Sequence, residues 1–214
     1  MPFGMVYVPS GALHIGPSDQ DVNSALVQRA KSISIAGFYM DATEITNNEY
    51  RQFVEWVRDS IAHHLIADDH LIETTHSGEE VINWRKQIRW GEEEVMDALE
   101  DMYYPENERF WGKRIINPKV LNYEYSWIDY REAAKNKARE RNGLPIKERE
   151  DLIITNTVNV YPDTLVWVRD FTYSYNEPMT RHYFWHPAYD QYPVVGVNWT
   201  QASAFSVWRT KFMN

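Results

Sequence analysis

Two stretches, one near each end of the chain, share one grammar: an apolar run, a short polar cap, then a helix with a single buried face. In the first, Thr46-Asn47-Asn48-Glu49 fits a capping box, in which the Thr hydroxyl accepts an orphan helix N–H and the Glu three residues on reaches back to the cap. Tyr50, Phe53, Val54, Val57 and Ile61 then fall on one face of a 3.6-residue period, which predicts an amphipathic helix. In the second, the apolar run Tyr192 to Val197 leads to Asn198 and Gln201, which repeat the capping logic ahead of Ala202, Phe205, Trp208 and Phe212. That order predicts a strand, a tight turn and a helix. Short strands feeding isolated helices, without regular alternation of the two, place the chain in the α+β class rather than among doubly wound sheets.

Ahead of the first helix, Met5-Val6-Tyr7-Val8 and Ala12-Leu13-His14-Ile15-Gly16 flank Pro9-Ser10-Gly11. Pro presets φ and Gly tolerates φ > 0, so these two runs are expected to form a hairpin with each other. Ile33 and Ile35 alternate with Ser32 and Ser34, and Phe38-Tyr39-Met40 follows Gly37, which predicts the next strand pair. Residues 1–61 thus read as the first part of a domain and 186–214 as its continuation, with 62–185 a long, charged, aromatic insertion. Within the insertion, Val95, Leu99 and Met102 share a face of a helix expected over Glu92 to Met102. Ser126 and Asp129 are expected to open another helix, which Asn142-Gly143 can close. Asp163 to Tyr173, rich in Leu165, Val166, Trp167, Val168 and Phe171, reads as a strand.

Composition narrows the function classes. With 43% hydrophobic residues in 214, the chain can bury a sizeable core, which excludes a disordered or fibrous protein. A formal net charge of −9 argues against nucleic acid as a partner, because phosphate contacts need a basic stripe. No apolar run approaches the roughly 18 residues of a membrane-spanning helix. Cysteine is absent, so there is no disulfide, no zinc–thiolate site and no thiol nucleophile. Aromatics are abundant instead: nine Trp, fourteen Tyr and eight Phe.

Few residues offer chemistry. His182 and His186 are four apart, as metal-binding imidazoles on a helix would be, but Pro187 disfavours helix at His186 and no acidic residue stands between them, so packing or hydrogen bonding is expected of them. His63, His64, Asp68, Asp69, His70 and His76 match no ligand template and are expected at a solvated helix end or loop. Glu49 is read as the cap and Glu44 as a tie between strand and helix, ahead of either as a general base. The run Lys135 to Arg141 reads as a solvated helix face. The expectation is no catalytic residue, no cofactor, no tightly bound transition metal and no redox activity.

Taken in order, Met5-Val6-Tyr7-Val8-Pro9-Ser10-Gly11, Phe38-Tyr39-Met40-Asp41-Ala42-Thr43-Glu44-Ile45-Thr46-Asn47-Asn48-Glu49-Tyr50 and Tyr192-Pro193-Val194-Val195-Gly196-Val197-Asn198-Trp199 resemble the formylglycine-generating-enzyme (sulfatase-modifying factor) domain. Trp208 corresponds to the tryptophan of that family's later helix. The resemblance implies a C-type-lectin-related fold with short irregular strands, here carrying a large insertion and, since the family continues past this helix, truncated at the C-terminus. Such a fragment is expected to self-associate through an unpaired strand edge. The family's enzymes bind copper through a pair of cysteines, so no catalytic residue carries over to this chain.

The insertion, with Pro2-Phe3-Gly4-Met5-Val6-Tyr7 and His186-Pro187-Ala188-Tyr189-Asp190-Gln191-Tyr192-Pro193, looks like the gliding-motility lipoprotein K (GldK/PorK) branch. That likeness implies a periplasmic, outer-membrane-associated structural subunit of the type IX secretion and gliding machinery of Bacteroidetes. It also implies assembly into rings with a PorN or GldN partner and tethering through a lipidated Cys upstream of this sequence. Two readings of other classes stand beside it: a formylglycine-generating-type oxidase, which needs cysteines, and a glycan- or peptide-binding module using exposed aromatics. For the assembly reading, Trp84, Trp90, Trp111 and Trp127 in the insertion are the candidate interface anchors, since Trp is enriched at interface hot spots.

Overall fold

A computed structural model describes residues 4–16, 30–73, 80–173, 178–180 and 182–213. Along the chain run β1 (Met5–Val8), β2 (Gly11–Ile15), β3 (Lys31–Ile35), β4 (Phe38–Asp41), α1 (Asn47–Ile66), β5 (Leu71–Glu73), β6 (Glu80–Ile82), α2 (Glu93–Ala98), β7 (Asn122–Ile128), α3 (Tyr130–Ala134), α4 (Asn136–Arg141), β8 (Ile153–Asn159), α5 (Val166–Asp170) and α6 (Trp199–Met213). They fall into two compact units, Met1–Ile45 and Thr46–Asn214. Helices and small two-stranded sheets coexist without alternation, so the α+β class holds.

The first unit is a β-ribbon, and it corrects the expected hairpin. β1 pairs antiparallel with β4, from Met5↔Asp41 to Val8↔Phe38, while β2 pairs with β3, from Gly11↔Ile35 to Ile15↔Lys31. Both ladders keep one common register, so β1 and β2 lie end to end on one arm and β3 and β4 on the other. The chain does not reverse at Pro9-Ser10-Gly11 because Gly11 is not among the left-handed glycines, and the fixed φ of proline suits an extended kink as well as a turn. Gly37 is required by its neighbour: a Cβ there would lie 2.4 Å from the Tyr7 hydroxyl oxygen. The Tyr7 ring also packs on Tyr39, 5.4 Å between centroids.

The second unit is organised by α1. The capping box forms as expected, with Thr46 Oγ1 accepting the Glu49 N–H at 3.3 Å and Glu49 Oε2 accepting the Thr46 N–H at 2.8 Å. Tyr50, Phe53, Val54 and Val57 are fully buried, and Ile61 is half-buried. Phe53 is the centre of an aromatic core, with Tyr50, Tyr123, Phe205 and Trp208 all within 5.8 Å by ring centroid. Such ring pairs add to the area they bury. The Tyr50 hydroxyl donates to the Val160 carbonyl at 3.0 Å, and burial pushes its phenol well above the usual range.

α6 supplies the other wall through Ala204, Phe205 and Trp208, with Ala202 and Phe212 exposed. Its cap is reciprocal: the Gln201 N–H donates to Asn198 Oδ1 and the Asn198 N–H to Gln201 Oε1, both at 2.9 Å. The expected strand from Tyr192 to Val197 is replaced by a single bridge, Thr46↔Pro193. Pro193 has no N–H to extend a ladder, and Gly196 leaves extended geometry at φ 76° so that its backbone can close on Asp163.

Three readings of the middle need correction. Ser126 lies inside β7, not at a helix start: β7 and β8 form a seven-residue antiparallel pair, Asn122↔Asn159 to Ile128↔Ile153, because Tyr123, Tyr125 and Trp127 alternate at the strand period. The helix opens at Asp129, whose Oδ1 accepts the Glu132 N–H at 3.0 Å, and Gly143 closes it at φ 66° as expected. The stretch Asp163 to Tyr173 holds α5 and no strand. There Asp163 Oδ1 accepts the Leu165 N–H at 3.0 Å, a local turn that overrides the β-branched composition. α2 ends at Ala98 and a 3-10 turn carries the chain on to Met102, with Leu99 and Met102 buried as expected.

Candidate interaction surface and pocket

The four tryptophans singled out in the sequence have different surroundings. Trp84 stacks on Trp56 at 5.4 Å and meets His63 edge-on. Trp90 is half-buried beneath the Arg58 guanidinium, 5.0 Å from its ring centre. Trp127 stacks on Tyr125 at 5.3 Å. Trp111 differs: it is 83% exposed and stacks on Phe110, itself 68% exposed, at 4.8 Å.

Local geometry holds that aromatic pair outward. Trp111 sits in the left-handed region (φ 53°, ψ 34°), which is uncommon for a bulky residue, and Gly112 follows at φ 66°. The loop bearing them is closed at its neck by the Tyr103↔Ile116 bridge, by the Tyr104 N–H donating to Ile115 O at 3.0 Å and by the Asn117 N–H donating to Met102 O at 2.8 Å. A chain of ion pairs braces one side. Arg114 bonds Asp97 at 2.6 Å and Glu100 at 3.3 Å, Glu100 also pairs with Arg109, and Arg109 Nε donates to the Tyr104 carbonyl at 2.8 Å. Backbone held in a sparsely populated region by its surroundings is a mark of functional sites.

Beside the loop neck lies a cavity of about 560 Å³, against α1. Val54, Met96, Ile116 and Leu121 supply aliphatic wall, Trp90, Tyr103, Tyr161 and Trp185 supply rings, and Glu55, Arg58 and Arg114 supply charge. Trp185 Nε1 donates to the Tyr161 hydroxyl at 2.7 Å, so two of its polar atoms already satisfy each other.

The histidines are placed differently from the sequence reading. His63 and His70, expected at a solvated edge, are buried, with their Nδ1 atoms 2.8 Å apart. Burial, then the facing His70, lowers the His63 pKa. His64, Asp68 and Asp69 are exposed, and His76 lies outside the described residues. No cluster of three or more metal-ligating side chains occurs among the described residues. His186 hydrogen-bonds structurally, its Nδ1 accepting the Ala188 N–H at 3.1 Å, and His182 O accepts the Trp185 and His186 N–H groups. Glu49 caps α1 and Glu44 is exposed. The run Lys135 to Arg141 is mostly solvated and gathers on Glu132: Lys135 at 2.5 Å and Arg139 at 2.6 Å, with Lys147 near by, hold that carboxyl at about 2.

Aromatic and charged side chains are thus gathered in a mixed α+β domain, with an exposed aromatic tip and an apolar cavity at one loop. Residues 2–213 match the sulfatase-modifying factor enzyme 1-like domain, and the chain belongs to that family. No curated protein and no solved structure matches it. The copper chemistry of the family's enzymes requires two thiolates, and with no cysteine in the sequence the residues present do not fit that metal.

Proposed function

We propose that the chain is a non-catalytic assembly subunit, a structural component of the periplasmic, outer-membrane-associated ring of a type IX secretion and gliding machine of the GldK/PorK kind. A C-type-lectin-related scaffold would here be reused for assembly. The observation that carries this reading is Trp111, an indole held in solvent by a left-handed backbone on a braced loop. A large aromatic at that exposure contributes little to folding and is suited to fill a pocket on a partner. The partner is a second copy or a PorN/GldN-type ring protein.

Truncation experiments separate this role from packing. Trp111→Ala is expected to melt like the parent, and Trp111→Gly at or above it, since Gly relieves the left-handed conformation. Both are expected to weaken ring formation or partner binding by on the order of 2 kcal/mol or more. Trp208→Ala, which opens the core, is expected to cost roughly 3 to 5 kcal/mol of folding. Differential scanning calorimetry with sedimentation or pull-down of the partner reads both quantities. Normal assembly of Trp111→Ala would refute the assignment.

A further inference from the structure

We propose that the cavity beside the loop neck is a binding site for a small amphiphilic amine, an apolar body carrying one cationic group. At about 560 Å³ it lies within the usual size range of ligand sites, and its walls are mainly aliphatic and aromatic. Charge decides the ligand class. Arg58 is matched by Asp59 at 2.7 Å and by the Trp90 face, and Arg114 by Asp97 and Glu100. Glu55, half-buried in the same wall, has no hydrogen bond or ion pair among the described residues. The unmatched charge is therefore one carboxylate among aromatic rings. An ammonium gains from both, by Coulomb attraction to Glu55 and by the quadrupole of any ring face it meets. An anion would meet a carboxylate whose neighbouring guanidiniums are already occupied. The site is separate from the Trp111 tip, so it stands or falls independently of the assembly reading.

The test is calorimetric titration of the full chain with three probes of one shape: 4-phenylbutylamine, 4-phenylbutanol and 4-phenylbutyrate. The amine is expected to saturate and to bind at least tenfold more tightly than the alcohol, with the butyrate weakest. Glu55→Gln is expected to bring the amine down to the alcohol's affinity, and Met96→Trp, which fills the cavity, to abolish binding of all three. The probe series on the parent protein reads the charge preference without relying on any variant's folding. Equal or tighter binding of alcohol or butyrate overturns the proposal, as does full amine affinity in a folded Glu55→Gln variant or no saturable amine binding at millimolar concentration.

Discussion

His63 and His70 show what a buried pair of identical groups can hold. At 2.8 Å between Nδ1 atoms, one ring donates and the other accepts; a proton added to the accepting nitrogen sets two N–H groups against each other. Burial and the facing ring both lower the His63 pKa in the folded state, with Asp59 opposing and His64 adding to the effect. The unfolded chain therefore takes up this proton first as pH falls. The stabilisation is fully present above about pH 6.5, the unperturbed histidine value, and is lost progressively below it. Urea midpoints are expected to drop between pH 7.5 and 5.5, and to drop less in His70→Gln; equal pH dependence in the two proteins would show that the pair is not responsible. Sequence spacing did not reveal this pair. The two rings meet because α1 ends at Ile66 and the chain reverses through Ala67 and Asp68, both non-glycine residues at positive φ. Trp111 was legible as an anchor candidate by residue type, whereas its left-handed backbone was not.

Helix starts were the best-read elements, because a cap is satisfied within four residues and needs nothing distant. Thr46 with Glu49 and Asn198 with Gln201 both close where the sequence places them, whereas the helix expected to open at Ser126 opens only after β7, with Asp129 itself as the cap. Strand partners were the worst-read, since a strand's mate is set by the rest of the fold: β1 finds β4 instead of β2, and β7 finds β8 across the two short helices. Composition misled at α5 for the same reason. Gln201 offers a test of how much a local device can carry. Besides capping α6, its Nε2 donates to Asn159 O at 2.9 Å and Tyr161 O at 3.0 Å, tying the end of β8 to the helix. Thr46→Ala is expected to cost about 1 kcal/mol, and Gln201→Ala more, roughly 2 kcal/mol, because it leaves two half-buried carbonyls unmatched as well. Equilibrium denaturation of the two variants side by side checks the order; a larger loss for Thr46→Ala would contradict it.

Across the whole chain a formal charge of −9 makes like copies repel, while the exposed ring at Trp111 invites association. Salt screens the first more than the second, so sedimentation velocity is expected to show heavier species at 300 mM than at 20 mM salt. Association that weakens with salt would mean that ion pairs, not the aromatic tip, join the copies. The family pattern was legible at the two ends of the sequence, and the match runs through residues 62–185 as well, to residue 213. The ribbon of the first unit has a further consequence. Tyr7 lies over Gly37, the one residue on that stretch of the opposite arm without a Cβ. Sliding the arms by two residues, the smallest step that keeps each face turned the same way, would bring Tyr7 onto Ile35 or Tyr39, where side chains stand in its path. Tyrosine and glycine act as key and notch. If two molecules ever traded arms, each foreign arm could mate in a single position, so the exchanged pair would reproduce the parent alignment.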